Sequence, residues 1–151
     1  MRPGIARLLA AALLVATLAA CSGGAEEVYC DDLETATARL VELADRSGAE
    51  GEDYLEPALA LLEQLREKAP ADLRDEWDTF VFAWQGLVDV LRETGVDPTT
   101  FDPASRPDGL SQQDFDKVRA VGAELRSARV RDAVEGITRH ANDVCGLSLD
   151  L

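Results

Sequence analysis

Between residues 71 and 93 the side chains Leu73, Trp77, Phe80, Val81, Trp84, Leu87, Val88 and Leu91 recur at steps of three and four. That spacing puts them on one face of a helix about six turns long. A stripe holding two tryptophans and a phenylalanine has to be covered, because large aromatics bury the most area. Nothing else in the chain offers a period-2 run long enough for a strand, so the cover must be helical. Trp77 and Trp84 therefore read as core, with a ligand pocket as the alternative. Phe82 does not fit the stripe. It lies on the opposite face with Asp78, Gln85, Gly86 and Asp89, so either the following loop covers it or it is an exposed contact residue.

Four further helices are expected. The first covers roughly Asp31 to Arg46, with Asp31 and Asp32 at its positive end and Leu33, Ala36, Leu40 and Leu43 inward; Ser47-Gly48 ends it. The second starts near Glu56-Pro57, turns Leu59, Leu62 and Leu65 inward and stops near Ala69-Pro70. Residues 95–110 form a long connection rich in proline, aspartate and glycine. Ser111, with Asp114 three residues on, caps a fourth helix that buries Phe115, Val118, Gly122 and Leu125. From Leu125 the stripe jumps five residues to Val130, a phase break that predicts a kink or turn near Ser127. The last helix uses Val130, Val134, Ile137, Ala141 and Val144, and Cys145-Gly146 ends it.

The first 20 residues follow other rules. Arg2 and Arg7 precede an uncharged run, Leu8 to Ala20, of 13 residues. That is short of the roughly 20 a spanning helix needs. The run closes on Leu18-Ala19-Ala20-Cys21, which resembles the lipobox of bacterial lipoprotein signal peptides. The resemblance covers residues 1–21. It implies cleavage before Cys21, a diacylglyceryl group on its sulfur, and a body held at the extracytoplasmic face of the cell membrane. An ordinary secretory leader or a buried helix is the alternative. On this reading residues 1–20 are leader, 21–29 are the acylated cysteine and its tether, and 30–151 are one helical domain. Extended, Ser22 to Val28 would span at most roughly 23 Å.

Assigning Cys21 to lipid leaves Cys30 and Cys145, an even pair in an oxidising compartment. A Cys30–Cys145 disulfide is expected, joining the start of the first helix to the end of the last. Free thiols or a shared metal are the alternatives, but two cysteines with the distant His140 do not fill a tetrahedral zinc site. The fold expected is thus an all-α bundle of four to five helices with one long irregular connection, stapled by that disulfide. Five helices in strict alternation would end at the wrong end for the bond. One connection must therefore break the alternation, and residues 95–110 are the candidate.

The chain carries 29 acidic against 15 basic residues, a net charge of −14. Such a body is a poor ligand for nucleic acid, which needs clustered lysine and arginine, and it is repelled by anionic headgroups. The acidity is early: residues 21–60 hold 11 acids and two bases, while residues 111–151 hold seven and six. Either the late arginines pair with the early helices, or an acidic face awaits a basic partner or divalent cations.

Catalytic chemistry finds no foothold. His140 is the sole histidine, at the edge of the last helix's buried stripe, with no nucleophile or carboxylate placed beside it. No glycine-rich phosphate loop occurs, and no cofactor is implied. Asp97, Asp102 and Asp108 are spaced by five and six, unlike the every-second-residue ligands of a calcium loop, and suit turns instead.

Tyr29-Cys30 after a short acidic linker, Ala69-Pro70 before an acidic helix and the closing Cys145-Gly146 resemble small helical lipoproteins of actinobacteria. Those features are structural, and the resemblance implies no active site. The expected function is a non-enzymatic, membrane-tethered module that binds an envelope partner through its acidic first helices or through Phe82 and Phe101. The alternative is a carrier holding a small apolar ligand or lipid near Trp77 and Trp84. Intact mass measurement on membrane-extracted protein should show residues 1–20 removed and an acyl mass on Cys21; retention of the leader overturns the lipobox reading.

Overall fold

The computed structural model describes residues 22–50 and 54–149, with side-chain detail over 24–46 and 54–149. Cys21 and the expected leader lie outside the described residues. Five helices make up the architecture: α1 (Ser22–Glu50), α2 (Leu55–Lys68), α3 (Arg74–Thr94), α4 (Gln112–Leu125) and α5 (Ala128–Asp143). No strand occurs among the described residues, and no helix among them is long and apolar enough to cross a membrane.

α1 begins at Ser22, inside the stretch expected to be an extended tether, and runs to Glu50, through the Ser47-Gly48 pair expected to end it. Ala25, Glu26 and Glu27 are good helix formers, and the next turn docks through Tyr29 and Leu33, both 1% exposed. As helix, Ser22 to Val28 rises only about 10 Å. α2 ends where Ala69 turns extended ahead of Pro70, as the proline ring demands. A turn closed by the Leu73 amide on the Pro70 carbonyl (3.0 Å) delays α3 to Arg74, three residues later than its stripe suggested. At its far end Gly95 adopts φ 65° and sends its amide back to Leu91, a left-handed stop only glycine takes cheaply. Ser111 accepts from the Asp114 amide (3.0 Å) while its hydroxyl donates to the Asp114 carboxylate (2.7 Å). That bond, with Lys117 beside it, holds the Asp114 carboxyl below its usual range. Ser127 caps α5 in the same way, accepting from Val130. The expected phase break is therefore a helix restart.

Neighbouring helices run antiparallel, as their cross-contacts show. Asp32 of α1 meets Lys68 at the end of α2. Glu56, Glu63 and Arg66 of α2 meet Arg92, Gln85 and Asp78 of α3 in reversed order. Along α3 in reverse, Glu93 pairs with Lys117, Gly86 faces Val121, Trp84 and Phe80 stand beside Val130 and Val134, and Glu76 packs on Gly136. α4 and α5 thus form one broken leg antiparallel to α3, α4 against its C-terminal half and α5 against its N-terminal half. The expected break in alternation lies at Ser127, not in the long connection: two successive helices keep one direction. Residues 96–111 only reverse the chain.

That reversal is built from local turns. Asp97 accepts from the Thr99 hydroxyl and amide, and those bonds, the hydroxyl's first, lower its carboxyl pKa. Asp102 accepts from the Ala104 amide (2.8 Å). Two apolar clusters fill the interior. Near the disulfide, Tyr29, Leu33, Leu73, Trp77, Val81, Ile137, Ala141 and Leu149 pack together; at the other end Leu55, Val88, Val90, Leu91 and Val118 do so with Tyr54 and Phe101. Val144, expected inward, is exposed, because α5 is already stopping there to reach Cys145.

At the first of these ends the chain is clasped. Cys30 and Cys145 are bonded with Cα atoms 5.3 Å apart. One residue away, the Trp77 indole N–H donates to the Tyr29 hydroxyl (2.9 Å), joining two side chains with almost no exposed surface. Burial raises the Tyr29 phenol above its ordinary value of 10.0, against the pull of the Trp77 bond, and Asp72 adds to the rise.

The late arginines do not neutralise the first helices. Arg119, Arg129 and Arg139 pair with Asp116, Glu124 and Glu135 of their own leg. The reason is geometric: α1 packs along α2, and the clasp is its link to α5. Such exposed pairs are worth about 0–1 kcal/mol each. Among the described acids of α1, Glu26, Glu27, Asp31, Glu34 and Asp45 have no cation within ion-pair distance.

Removing the disulfide by Cys30→Ser with Cys145→Ser should cost about 4–5 kcal/mol, the entropy of a 115-residue closure, read by denaturant unfolding. Tyr29→Phe should cost about 1 kcal/mol. Because the folded phenol titrates higher than the unfolded one, its contribution is intact below pH 10 and is lost as pH rises through the folded value. Alkaline unfolding curves of wild type and Tyr29→Phe should accordingly converge.

Candidate functional site

Where α3 meets the broken leg, the packing leaves a groove of about 690 Å³. Phe80 and Trp84 of α3, Leu125 at the end of α4, and Val130 and Val134 of α5 form its apolar floor. The aromatic stripe builds one wall, with Trp77, Phe80 and Trp84 meeting edge-on or tilted at ring separations of 6.2 and 6.3 Å. Their fates differ. Trp77 is fully buried and hydrogen-bonded, whereas Trp84 is half-buried and reaches the groove. The rim is polar and comes from α5 alone, through Arg131, Glu135, Thr138, Arg139, Asn142 and Asp143. Its volume and apolar floor lie in the range of small-molecule sites.

Charge along the rim is uneven. Arg139 is bound to Glu135 (2.7 Å). Arg131 donates to the Arg126 carbonyl (2.5 Å) and has no carboxylate within ion-pair distance among the described residues. It stands in the first turn of α5, a turn with no acidic residue, where the helix dipole is already positive.

The other anticipated positions are dispersed. Phe82 is 67% exposed, in a shallow depression shared with Arg66, Asp78, Thr79, Gln85 and Arg129. Phe101 is half-buried, its ring 5.7 Å from that of Phe115, and it packs on the cluster around Leu91 and Val118. The two phenylalanines line separate hollows, so the loop does not cover Phe82 and does not join it in one surface. Cys30 and Cys145 are consumed by their bond. His140 lies 5.9 Å from the Tyr29 ring, with a buried Nε2 that makes no hydrogen bond; Glu76 Oε2 is similarly buried and unbonded. Gly136 lets α5 approach this carboxylate: a β-carbon there would stand 3.0 Å from Glu76 Cγ. Asp97 and Asp102 spend carboxylate oxygens on turns, and no cluster of three metal-ligating side chains forms among the described residues.

Of the groove's residues, periodicity offers Trp84 as a ligand wall only in the alternative to core, and there paired with Trp77, which is fully buried. Phe80, Leu125, Val130 and Val134 read as core, and Arg131 as one late arginine among several. Periodicity shows which face is apolar; it does not show whether a neighbour closes over it. Comparison with known protein families, with curated proteins and with solved structures finds no match to this chain.

Two measurements check this geometry. Acrylamide should quench Trp84 and leave Trp77 dark to it, so Trp84→Phe should abolish the accessible fraction of the fluorescence. Phe82→Ser should leave stability within about 0.5 kcal/mol, while Phe101→Ala should cost about 2 kcal/mol through lost packing on Phe115.

Proposed function

We propose that this chain is a non-enzymatic binding module, tethered to the extracytoplasmic face of a membrane by acylated Cys21, and that it holds a small apolar ligand in the α3–α5 groove. The groove carries this reading. It joins an apolar floor to a polar rim, and it keeps part of Trp84 available to a ligand in a domain that buries its other tryptophan completely. The leader's resemblance to lipoprotein signal peptides supports the tether. The disulfide supports an oxidising location, since such bonds persist chiefly outside the reducing cytoplasm. α1 begins immediately after Cys21, so on this reading the clasped end of the bundle is the one nearer the bilayer.

A second reading, an envelope protein docked on the bundle, is favoured by the exposed Phe82. Crosslinking in cells separates the two, because a partner lost on Phe82→Ser would belong to that face and not to the groove.

Native mass spectrometry of the full chain from its own membranes tests the principal reading. The expected species carries an acyl mass on Cys21, lacks two protons for the disulfide and retains an apolar adduct. Val134→Arg should remove the adduct while leaving helicity unchanged. A chain that carries no adduct, with Trp84 emission unmoved by apolar probes, overturns the groove as a binding site.

A further inference from the structure

The groove is open on its outer side, where its polar rim comes from α5. Small-molecule sites bury most of their ligand, so a cleft this open lacks a cover. The order of charge on α5 says what fits there. Arg131, Glu135, Arg139 and Asp143 line the groove at steps of four, and all are exposed. They form one row of alternating sign, about 18 Å long. The inner two are bound to each other (2.7 Å), and the outer two have no ion-pair partner among the described residues.

Turned end for end, such a row is its own complement. With two α5 helices antiparallel about a two-fold axis level with Ile137, Arg131 faces the partner's Asp143 and Glu135 faces the partner's Arg139, and symmetry repeats both pairs. Asp132, beside the row, faces the partner's Asn142, which is neutral. Parallel pairing would set each charge against its like. Rows at four-residue steps are inclined to the helix axis, so two of them align when the helices cross at about 50°, a common packing angle. At that crossing both clasped ends splay toward the same side of the pair, which suits two tethers in one bilayer. Charge also selects this face. Two bodies of net charge −14 repel, but α5 holds three basic and three acidic residues, and the unpaired acids of α1 lie along α2.

We propose that a second copy of this chain covers the groove, the two α5 helices paired antiparallel along the row from Arg131 to Asp143. The charged side chains span the mouth and leave the floor of Phe80, Trp84 and Val134 beneath them as an enclosed cavity. Withdrawal of that floor from water supplies affinity, and the row fixes register. The pairing rests on the row and not on the ligand, which it would enclose.

The test is native mass spectrometry, over a range of concentrations, of the full chain extracted from its own membranes. It compares the wild type, Arg131→Asp, Asp143→Arg and an equimolar mixture of the two variants. The wild type should be a dimer. Each single reversal sets like charges together twice per pair and should raise the dissociation constant about a hundredfold. Neither should unfold α5, since an acid in its first turn and a base in its last suit the helix dipole. In the mixture one chain is acidic at both outer positions and the other basic. A heterodimer should therefore form where neither variant pairs with itself. Acrylamide quenching of Trp84 should rise as the wild-type dimer is diluted to monomer. A wild type that is monomeric at every concentration overturns the pairing, and an apolar adduct kept by that monomer leaves the ligand reading standing. Dimers that persist in both single variants, or a mixture without heterodimer, overturn the antiparallel row. A dimer that follows the expected pattern but carries no adduct supports the pairing and counts against the ligand alone.

Discussion

The clasp at one end of the bundle organises everything else. The Cys30–Cys145 bond and the Trp77–Tyr29 hydrogen bond act on adjacent residues, and together they tie α1, α3 and the end of α5. Each needs the other's setting. Tyr29 could not bury a hydroxyl without a partner, since an unsatisfied buried polar group costs about 1–3 kcal/mol. Trp77 supplies that partner from the N-terminal end of the apolar stripe. With the end closed, Leu147 and Leu149 fold back on the core behind Gly146, whose left-handed turn lets the Leu147 amide reach the Ala141 carbonyl.

Because α1 joins α5 through the clasp and otherwise lies along α2, the bundle is closed at one end and less so along its length. That has two consequences. The acids of α1 stay away from the arginines of α4 and α5, so the chain keeps an acidic side and a late leg that balances its own charge. The apolar floor at Phe80, Trp84, Val130 and Val134 is left with a groove over it instead of a further helix. On the proposed function this incompleteness is the useful part of the fold: the same stripe that holds the domain together offers a ligand its unspent portion.

Much of this was legible in residue order. The α3 stripe, the Ser111 cap with Asp114, the restart at Ser127 and the Cys30–Cys145 pair all rest on local chemistry or on counting, and the structure has each of them. Errors fell where a contact distant in sequence decides. Tyr29 looked like part of a tether, but docking on Trp77 holds it in a helix that starts at Ser22. Phe82 and Phe101 are expected as one contact surface, yet Phe115 draws Phe101 inward while nothing covers Phe82.

Sequence by itself determined that the domain is helical, where its later helices stop and which face of each is apolar. Periodicity, prolines, glycines and capping hydroxyls act within a few residues of themselves and need no partner. Only the tertiary structure decided that α4 and α5 form one leg, that α1 meets α5 at its clasped end, and that a groove remains between α3 and that leg. Those outcomes depend on how much of each apolar face its neighbours cover. Covering is a property of pairs of helices in space, and no single stretch of chain encodes it.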